Sequence, residues 1–150
     1  MRTTTLSIAE KTSTLGACPV FAGVPPAELA TLAEMMKTEH MRRGEILFET
    51  GDPSDSVYVV ADGTLNVLLP TQVQPVRTLA RGELLGEYGM FSGLARTATV
   101  QAASDLVLLA LDYQRFRAFL LRFPEATLVL LKTTVARLLA AESHRGERLS

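Results

Sequence analysis

Apolar positions divide the chain into a helical start, a β-rich middle and a helical end. Residues 1–17 are polar and rich in threonine, which predicts an arm or a short helix that is loosely held. After Pro25 and Pro26, apolar side chains recur at helical spacing, at Leu29, Leu32, Ala33 and Met36. Proline suits the first turn of a helix, so we expect one from here to residues 37–40.

The middle of the chain consists of short runs with β-strand character. These runs are Glu45–Glu49, Ser56–Val60, Thr64–Leu69, Val76–Ala80, Arg96–Ala103 and Leu106–Leu111. Glycine, proline and aspartate separate them, as in turns. Asp62 and Gly63 lie between two runs and predict a tight hairpin, because glycine accepts a positive φ. Many short strands at this spacing predict an antiparallel roll or barrel.

Helical spacing returns at Asp112, a suitable N-cap residue. The apolar face that follows it contains Tyr113, Phe116, Phe119 and Leu120. Pro124 predicts the start of another helix, which should end near His144, before Gly146. A heptad-like stripe in this last helix contains Leu128, Leu131, Val135 and Leu138. The stripe fits either packing on the roll or a parallel homodimer.

Composition is that of an ordinary globular domain. The 150 residues are 47% hydrophobic and 21% charged, with a formal net charge of -1, so we expect neither disorder nor direct binding to nucleic acid. The longest apolar stretch, Leu106–Leu111, is much too short for a membrane span, and residues 1–17 lack the features of a signal peptide. The single cysteine, Cys18, is expected to be a buried apolar residue in a reducing, cytoplasmic environment.

Residues 85–100 combine residue types that suit a ligand with a phosphate and a sugar. Several glycines, the first at Gly86, would let the backbone approach a ligand, and a helical turn near Glu87 would direct N–H groups toward an anion. Arg96 can pair with a phosphate, and the Glu87 carboxylate can accept a hydrogen bond from a sugar hydroxyl. The alternatives are an ordinary glycine turn, a solvated Arg96, or a direct ion pair between the two side chains.

Catalytic chemistry is not indicated by the sequence. The two histidines, His40 and His144, do not have metal-ligand spacing and are expected at the surface. Neither a nucleophile elbow nor a Walker loop is present, and an enzyme using the glycine-rich segment would have only Glu87 as a base. Few residues follow His144, so we expect no helix-turn-helix module and either a stand-alone sensor or an excised module.

The glycine-rich segment resembles the phosphate-binding cassette of the cyclic-nucleotide-binding family. This family includes the bacterial catabolite activator protein, protein kinase A regulatory subunits and cyclic-nucleotide-gated channels. Its pattern is Gly-Glu, then small or apolar residues, then Arg-Ser/Thr/Ala-Ala. Here the pattern is Gly86-Glu87 followed by Arg96-Thr97-Ala98.

The resemblance extends over residues 18–142 and implies a fold. Further similar segments are residues 19–24, 43–52, 55–63 and 123–125. The implied fold is mainly β: an antiparallel β-roll, or jelly roll, with an N-terminal helix and two C-terminal helices. Residues 18–150 would form this domain, and residues 1–17 would precede it.

The resemblance also implies roles for individual residues. The expected ligand-binding residues are Leu85, Gly86, Glu87, Tyr88, Gly89, Arg96, Thr97, Ala98 and Arg137. Glu87 would bind the ribose 2′-hydroxyl, and Arg96 would pair with the cyclic phosphate, assisted by Thr97 and by backbone N–H groups of the glycine turn. Leu85 and Ala98 would line the sugar and base pocket.

The final helix is implied to close over the base as a lid. The lid region falls near Arg137, Ala141 and Glu142. Some family members have a hydroxyl side chain at the position of Ala141, and this chain does not, so the resemblance leaves the base contact open. Arg137 would either pair with Glu87 when the lid closes or remain a solvated helix residue.

The implied function is a sensor without cofactor or metal. Its ligand would be a cyclic purine nucleotide, cyclic AMP by family frequency, with cyclic GMP permitted by the hydroxyl of Thr97. Ligand binding would move the final helix and so signal to an effector protein that the sequence does not identify. The alternative is a degenerate fold that acts as a protein-interaction scaffold, which the presence of Gly86, Glu87 and Arg96 disfavours.

Overall fold

The computed structural model describes residues 5–149, and it describes side chains for residues 5–140. Within residues 5–149 the helices are α1 (Ile8–Gly16), α2 (Pro26–Met35), α3 (Tyr88–Ser92), α4 (Tyr113–Arg122) and α5 (Pro124–Leu149), with a 3-10 turn at Pro19–Phe21. The strands are β1 (Lys37–Met41), β2 (Ile46–Phe48), β3 (Ser56–Asp62), β4 (Leu65–Leu68), β5 (Arg77–Leu79), β6 (Leu84–Leu85), β7 (Thr99–Ala102) and β8 (Leu106–Asp112). Helical ends therefore flank a β-rich middle.

The strands of residues 5–149 form two antiparallel four-stranded sheets. The first has the order β1-β8-β3-β6 and the second has the order β2-β7-β4-β5. Both sheets contribute side chains to one buried cluster, so they pack face to face. That cluster is Met41, Val60, Leu65, Val67, Leu79, Leu85, Val100, Ala102, Leu106 and Leu108. The predicted β-roll with flanking helices is thus confirmed.

A second core lies between the outer face of the first sheet and the helices. Val59 of β3 and Leu109 of β8 are buried there against Leu32, Phe116 and Leu130 of three helices. Because both faces of these two central strands are covered, their sequences are almost continuously apolar instead of alternating. This second core connects α5 to the roll.

The turn at Asp62 and Gly63 is a corner between the two sheets. β3 pairs with β8 and β6, whereas β4 pairs with β7 and β5. The register of β3 shifts between Val60 and Asp62, and Gly63 has a φ of +87°. A Cβ on Gly63 would lie 2.3 Å from the carbonyl oxygen of Asp105. The predicted hairpin is therefore wrong, because a β-bulge turns the chain onto the second sheet beside the corner that precedes β8.

α1 is more firmly held than the polar sequence of residues 1–17 predicts. Ser7 and Glu10 form a capping box, with each side chain accepting a hydrogen bond of 3.1 Å from the backbone N–H of the other. Leu15 is fully buried, and the ammonium group of Lys11 donates to the carbonyl oxygen of Met36 at 2.7 Å. The predicted short helix is therefore present as α1, and for this helix the expectation of a loose hold is wrong, because these contacts fasten it to the second core. Residues 1–4 of the same prediction lie outside the described residues.

Several element boundaries differ from the sequence prediction. α2 ends at Met35, and the polar segment Lys37–Met41 forms β1 because it pairs along its length with β8. β6 is only a two-residue strand beside β3, and the apolar pattern did not reveal it. α5 continues through Gly146 to Leu149, so that glycine does not end the helix. By contrast, α4 begins after its predicted cap, with Asp112 Oδ1 accepting from Arg115 N at 2.9 Å.

The leucine stripe of α5 faces away from the roll. Its four members are between 44% and 58% exposed: Leu128, Leu131, Val135 and Leu138. Ala126 and Leu130, on another face of the helix, are buried in the second core instead. Of the two alternatives for the stripe, packing on the roll is therefore wrong.

The burial of the cysteine and of one of the two histidines follows from their places in the fold, Cys18 before the 3-10 turn and His40 in β1. Cys18 is 1% exposed, and burial raises the pKa of its thiol to about 11, so it is a buried, protonated residue as expected. His40 is half-buried in β1 rather than at the surface, while the side chain of His144 lies outside the described residues. No helix among the described residues has the length and apolar character to cross a membrane.

Candidate functional site

The candidate site is built by the turn between β6 and α3. Gly86 directly follows β6 and has a φ of +91°, and a Cβ there would lie 2.8 Å from the Ser56 carbonyl oxygen and 2.9 Å from Arg96 Nη1. Only glycine fits that close approach. α3 begins directly after Glu87, as predicted, and Gly93 caps its C-terminal end with a φ of +71°.

A cavity of about 70 Å³ lies beside this turn. Predicted site residues that line it are Leu85, Gly86, Glu87, Tyr88, Gly89, Arg96, Thr97 and Ala98. The remaining predicted residue, Arg137, reaches the cluster from α5 through its contact with Glu87. The side chains of Ala141 and Glu142, the other two residues assigned to the lid, lie outside the described residues.

Glu87 is a buried carboxylate held by an arginine of the last helix. It is 1% exposed, and its Oε1 accepts a hydrogen bond of 3.0 Å from Arg137 Nη1. Arg137 Nη2 also donates to the Leu84 carbonyl oxygen at 3.3 Å. Burial raises the pKa of Glu87, although its own backbone N–H and the charge of Arg137 act in the opposite direction. Arg137 is thus a partner of Glu87 rather than a solvated residue.

Arg96 is buried and is held at one end. It is 7% exposed, with Nη1 donating to the Gly86 carbonyl oxygen at 3.0 Å and Nη2 donating to the Ser56 carbonyl oxygen at 2.9 Å. Its guanidinium carbon lies 4.0 Å from the ring centroid of Phe48, a cation–π contact. Its buried Nε has no hydrogen-bond partner among the described residues. The alternative of a solvated Arg96 is therefore wrong.

Arg77 is a cavity residue that the sequence analysis did not select. It begins β5, where it is the register partner of Val67, and it lines the same cavity as Arg96. Its Nε is also buried and unpartnered within the described part of the chain. Its charge acts to lower the pKa of Glu87. The sequence indicated it only as an arginine within the β-strand run Val76–Ala80.

Other cavity residues come from the cassette itself and from more distant segments of the chain. They are Phe48, Ser54, Val67, Ser92, Ala95 and Val100. Tyr113 does not line the cavity, but its hydroxyl donates to the Gly86 carbonyl oxygen and accepts from Arg96 Nη1 at 3.2 Å. From the sequence, Tyr113 was expected only on the apolar face of α4. These residues enter the site because the strands bring them together.

The cavity combines one buried carboxylate, two arginines and apolar walls. Buried N–H donors without partners are costly, so Arg77 and Arg96 suit an anionic ligand. The carboxylate suits a hydroxyl-bearing ligand, since it can only accept hydrogen bonds when ionised. Among the described residues no cluster of three or more His, Cys, Asp or Glu side chains could hold a metal.

Known proteins resemble this chain in fold and in sequence. The catabolite activator protein of Thermus thermophilus superposes with a TM-score of 0.76 and 27% identity, covering 85% of this chain and 62% of that one. A cyclic nucleotide-gated potassium channel of Mesorhizobium japonicum is 30% identical over 129 residues, which are 86% of this chain and 35% of the channel. The regulatory subunit of cAMP-dependent protein kinase from Emericella nidulans is 26% identical over 102 residues.

These curated relatives are longer proteins in which this chain corresponds to one part. The chain spans 35% of the channel and 25% of the kinase regulatory subunit. A family model for the cyclic nucleotide-binding domain matches residues 38–123, which is more than half of the chain and includes the whole cassette. Domains of this family are regulatory modules. By its cassette, its β-roll and this match, the chain belongs to the cyclic-nucleotide-binding domain family.

Proposed function

We propose that this protein is a sensor that binds a cyclic purine nucleotide in the cavity beside α3. One observation carries the proposal. Arg77 and Arg96 line the same cavity as buried Glu87, and within the described residues the Nε atom of each arginine is buried and has no hydrogen-bond partner. An unpaired buried donor costs about 1–3 kcal/mol, and a nucleotide phosphate or base would supply the missing acceptors. The same residues argue against a degenerate scaffold.

The phosphate is assigned to Arg96. Contacts with the carbonyl oxygens of Ser56 and Gly86 occupy the far end of its guanidinium group. The edge that includes Nε is left for a phosphate, which arginine binds well through parallel N–H donors. The hydroxyl of Thr97 and the first N–H groups of α3, at Tyr88 and Gly89, are the further donors in this proposal.

The ribose is assigned to Glu87, whose carboxylate can accept a hydrogen bond from the 2′-hydroxyl group. The cavity of about 70 Å³ is smaller than the roughly 300–1,000 Å³ typical of ligand pockets, so side chains must move as a nucleotide enters. Arg137 keeps its contact with Oε1 of Glu87 in this proposal, and the other carboxylate oxygen accepts the hydrogen bond from the 2′-hydroxyl. Because Arg137 belongs to α5, ligand entry and the position of α5 are coupled in this proposal.

The base is assigned to the region of Arg77. Guanine presents two acceptors, N7 and O6, on one edge, whereas adenine presents one acceptor and one donor there. An arginine with a free Nε therefore matches guanine better than adenine. We expect cyclic GMP to bind at least as tightly as cyclic AMP, and Arg77→Ala to weaken cyclic GMP more than cyclic AMP.

Calorimetric titration tests the proposal directly. The ligands are cyclic AMP, cyclic GMP, their 2′-deoxy analogues and the linear monophosphates. Arg96→Ala should weaken cyclic-nucleotide binding more than roughly tenfold, because a desolvated phosphate loses its charged partner. Arg117→Ala, at an exposed arginine of α4, is the matched control and should bind like the native protein.

The ribose assignment is tested with the same titrations. The native protein should prefer the ribose ligand over its 2′-deoxy analogue, and Glu87→Gln should lose most of that preference. Folded native protein that binds none of these ligands would support the scaffold alternative instead.

We also propose that the exposed stripe of α5 pairs with a second copy of this chain. Leu128, Leu131, Val135 and Leu138 repeat at the three- and four-residue spacing of a two-stranded coiled coil. All four are exposed and apolar, as expected for a surface that a partner covers.

A further inference from the structure

Tyr113 lies outside the cavity, yet its hydroxyl touches the two groups that shape the proposed phosphate site. We propose that Tyr113 is a positioning residue for Arg96, and that its hydroxyl sets the orientation in which the guanidinium group meets the phosphate. This inference rests on the proposed function, because it requires a phosphate at Arg96. It adds a residue to the binding apparatus that neither the motif nor the cavity lining includes.

The backbone holds Tyr113 in place independently of the cassette. Tyr113 is the first residue of α4, and its N–H donates to the Asp55 carbonyl oxygen at 2.9 Å. The preceding residue, Asp112, caps the helix and is the register partner of Ser56 at the end of the β3–β8 pair. The ring therefore projects from a junction between a strand pair and a helix, which is a rigid base for positioning.

The Tyr113 hydroxyl uses its full hydrogen-bonding capacity in this place. It donates to the Gly86 carbonyl oxygen and accepts from Arg96 Nη1 at 3.2 Å. A tyrosine hydroxyl has one hydrogen and can still accept, so Ser54 Oγ, its third partner, is the donor in their contact. One oxygen atom thus connects the end of β6, the guanidinium group and the loop before β3.

Gly89, in the first turn of α3, lies very close to the hydroxyl groups of Ser54 and Tyr113. A Cβ at Gly89 would lie 1.9 Å from Ser54 Oγ and 2.9 Å from the Tyr113 hydroxyl. Any side chain there would push the hydroxyls away from Gly86 and Arg96. The glycine in the first turn of α3 is therefore explained by contact with Ser54 and Tyr113, and not by its own φ, which is not positive.

Loss of the Tyr113 hydroxyl should loosen the guanidinium group of Arg96 but leave it available to pair with the phosphate. In Tyr113→Phe, the ring keeps its place packed against the second core. Nη1 of Arg96 retains the Gly86 carbonyl oxygen but loses its second acceptor, so the guanidinium group can turn. Hydrogen bonds to charged groups are stronger than neutral ones, and we expect roughly tenfold weaker binding of the cyclic nucleotide.

A double-mutant cycle on the full chain tests this inference. The variants are Tyr113→Phe, Arg96→Lys and the pair, each titrated by calorimetry with the tighter of cyclic AMP and cyclic GMP. Urea unfolding of each variant measures its fold stability separately. Tyr58→Phe is the matched control, since the Tyr58 ring packs on Phe48 with centroids 6.2 Å apart and the change again removes only a hydroxyl.

The inference predicts coupling between the two residues. Tyr113→Phe should weaken binding roughly tenfold in the native background and less than about twofold beside Arg96→Lys, because lysine lacks the group that Tyr113 orients. Tyr58→Phe should bind like the native protein. Unchanged affinity in Tyr113→Phe, or an equal loss in both backgrounds, overturns the positioning role alone. Native affinity in Arg96→Lys would overturn this inference alone, because a lysine ammonium group can also pair with a phosphate. Native affinity in Arg96→Ala would overturn the proposed phosphate contact and this inference with it.

Discussion

Among single residues, Glu87 is the place where charge and burial conflict most directly. Burial raises the pKa of its carboxyl group, while its backbone N–H and the charges of Arg137, Arg77 and Arg96 only partly oppose this. A raised pKa means that the folded state holds the proton more tightly than the unfolded chain does. The free energy of unfolding should therefore fall as pH rises from the ordinary value of 4.5 through the raised pKa, and level off above it.

Glu87→Gln should remove this part of the pH dependence. Urea denaturation at several pH values between 4.5 and neutrality measures it, and the native protein should lose stability over a range in which Glu87→Gln does not. Glu34→Gln, at an exposed residue of α2, is the matched control and should follow the native curve. If the free energy of unfolding changes with pH in the same way in the native protein and in Glu87→Gln, the Glu87 carboxyl group is not the source of the pH dependence.

At the scale of elements, the corner between β3 and β4 depends on a glycine. Gly63 and Gly44 both have positive φ values, +87° and +92°, but a Cβ at Gly44 would meet nothing within 4 Å. Gly44→Ala should therefore lower the free energy of unfolding only by the cost of placing an L-residue at positive φ, about 1–2 kcal/mol. Gly63→Ala should cost at least ~1 kcal/mol more, because its Cβ meets the carbonyl oxygen of Asp105. Urea denaturation of both variants checks the difference, and equal losses would contradict the steric argument.

α5 is the element proposed to move. Its first turns are anchored by buried Ala126 and Leu130, and Arg137 is its contact with the cassette. Pro124 removes a backbone donor at the junction with α4, which suits a hinge. Amide exchange in residues 133–140 should slow when cyclic nucleotide is added, while the strands change little.

A variant pair separates the Arg137 contact from general helix stability. Arg137→Ala should speed exchange in residues 133–140 because it releases α5 from Glu87. Arg122→Ala removes an exposed ion pair with Glu28, of 2.9 Å, and should leave that exchange unchanged. Equally slow exchange in residues 133–140 with and without ligand would mean that α5 is permanently packed.

At the scale of the whole molecule, the stripe of α5 predicts self-association. Sedimentation velocity over a range of concentrations should show a dimer in the native protein. Leu131→Lys together with Leu138→Lys should shift it to monomer, because charges would face each other across a coiled-coil seam. Lys132→Ala with Arg117→Ala, at exposed positions outside the stripe, is a control that should stay dimeric. A native protein that is monomeric at every concentration would contradict the stripe as a dimer surface.

Some features of this protein follow from short stretches of sequence. Asp112 caps α4 and Pro124 begins α5 where the sequence predicts, because caps and proline act within one helical turn. The cassette was also recognisable, since Gly86, Glu87 and Arg96 are close in sequence and each suits one group of a nucleotide. Local chemistry of this kind does not depend on the rest of the fold.

Tertiary structure decided the features that join distant segments. The segment Lys37–Met41 is a strand only because β8 lies beside it, and position 63 has no room for a side chain because the carbonyl oxygen of Asp105 is next to it. Arg77 and Tyr113 reach the site from β5 and α4 in the same way. Strand pairing and side-chain convergence are non-local contacts, and residue patterns within one segment carry no record of which other segment will pack against it.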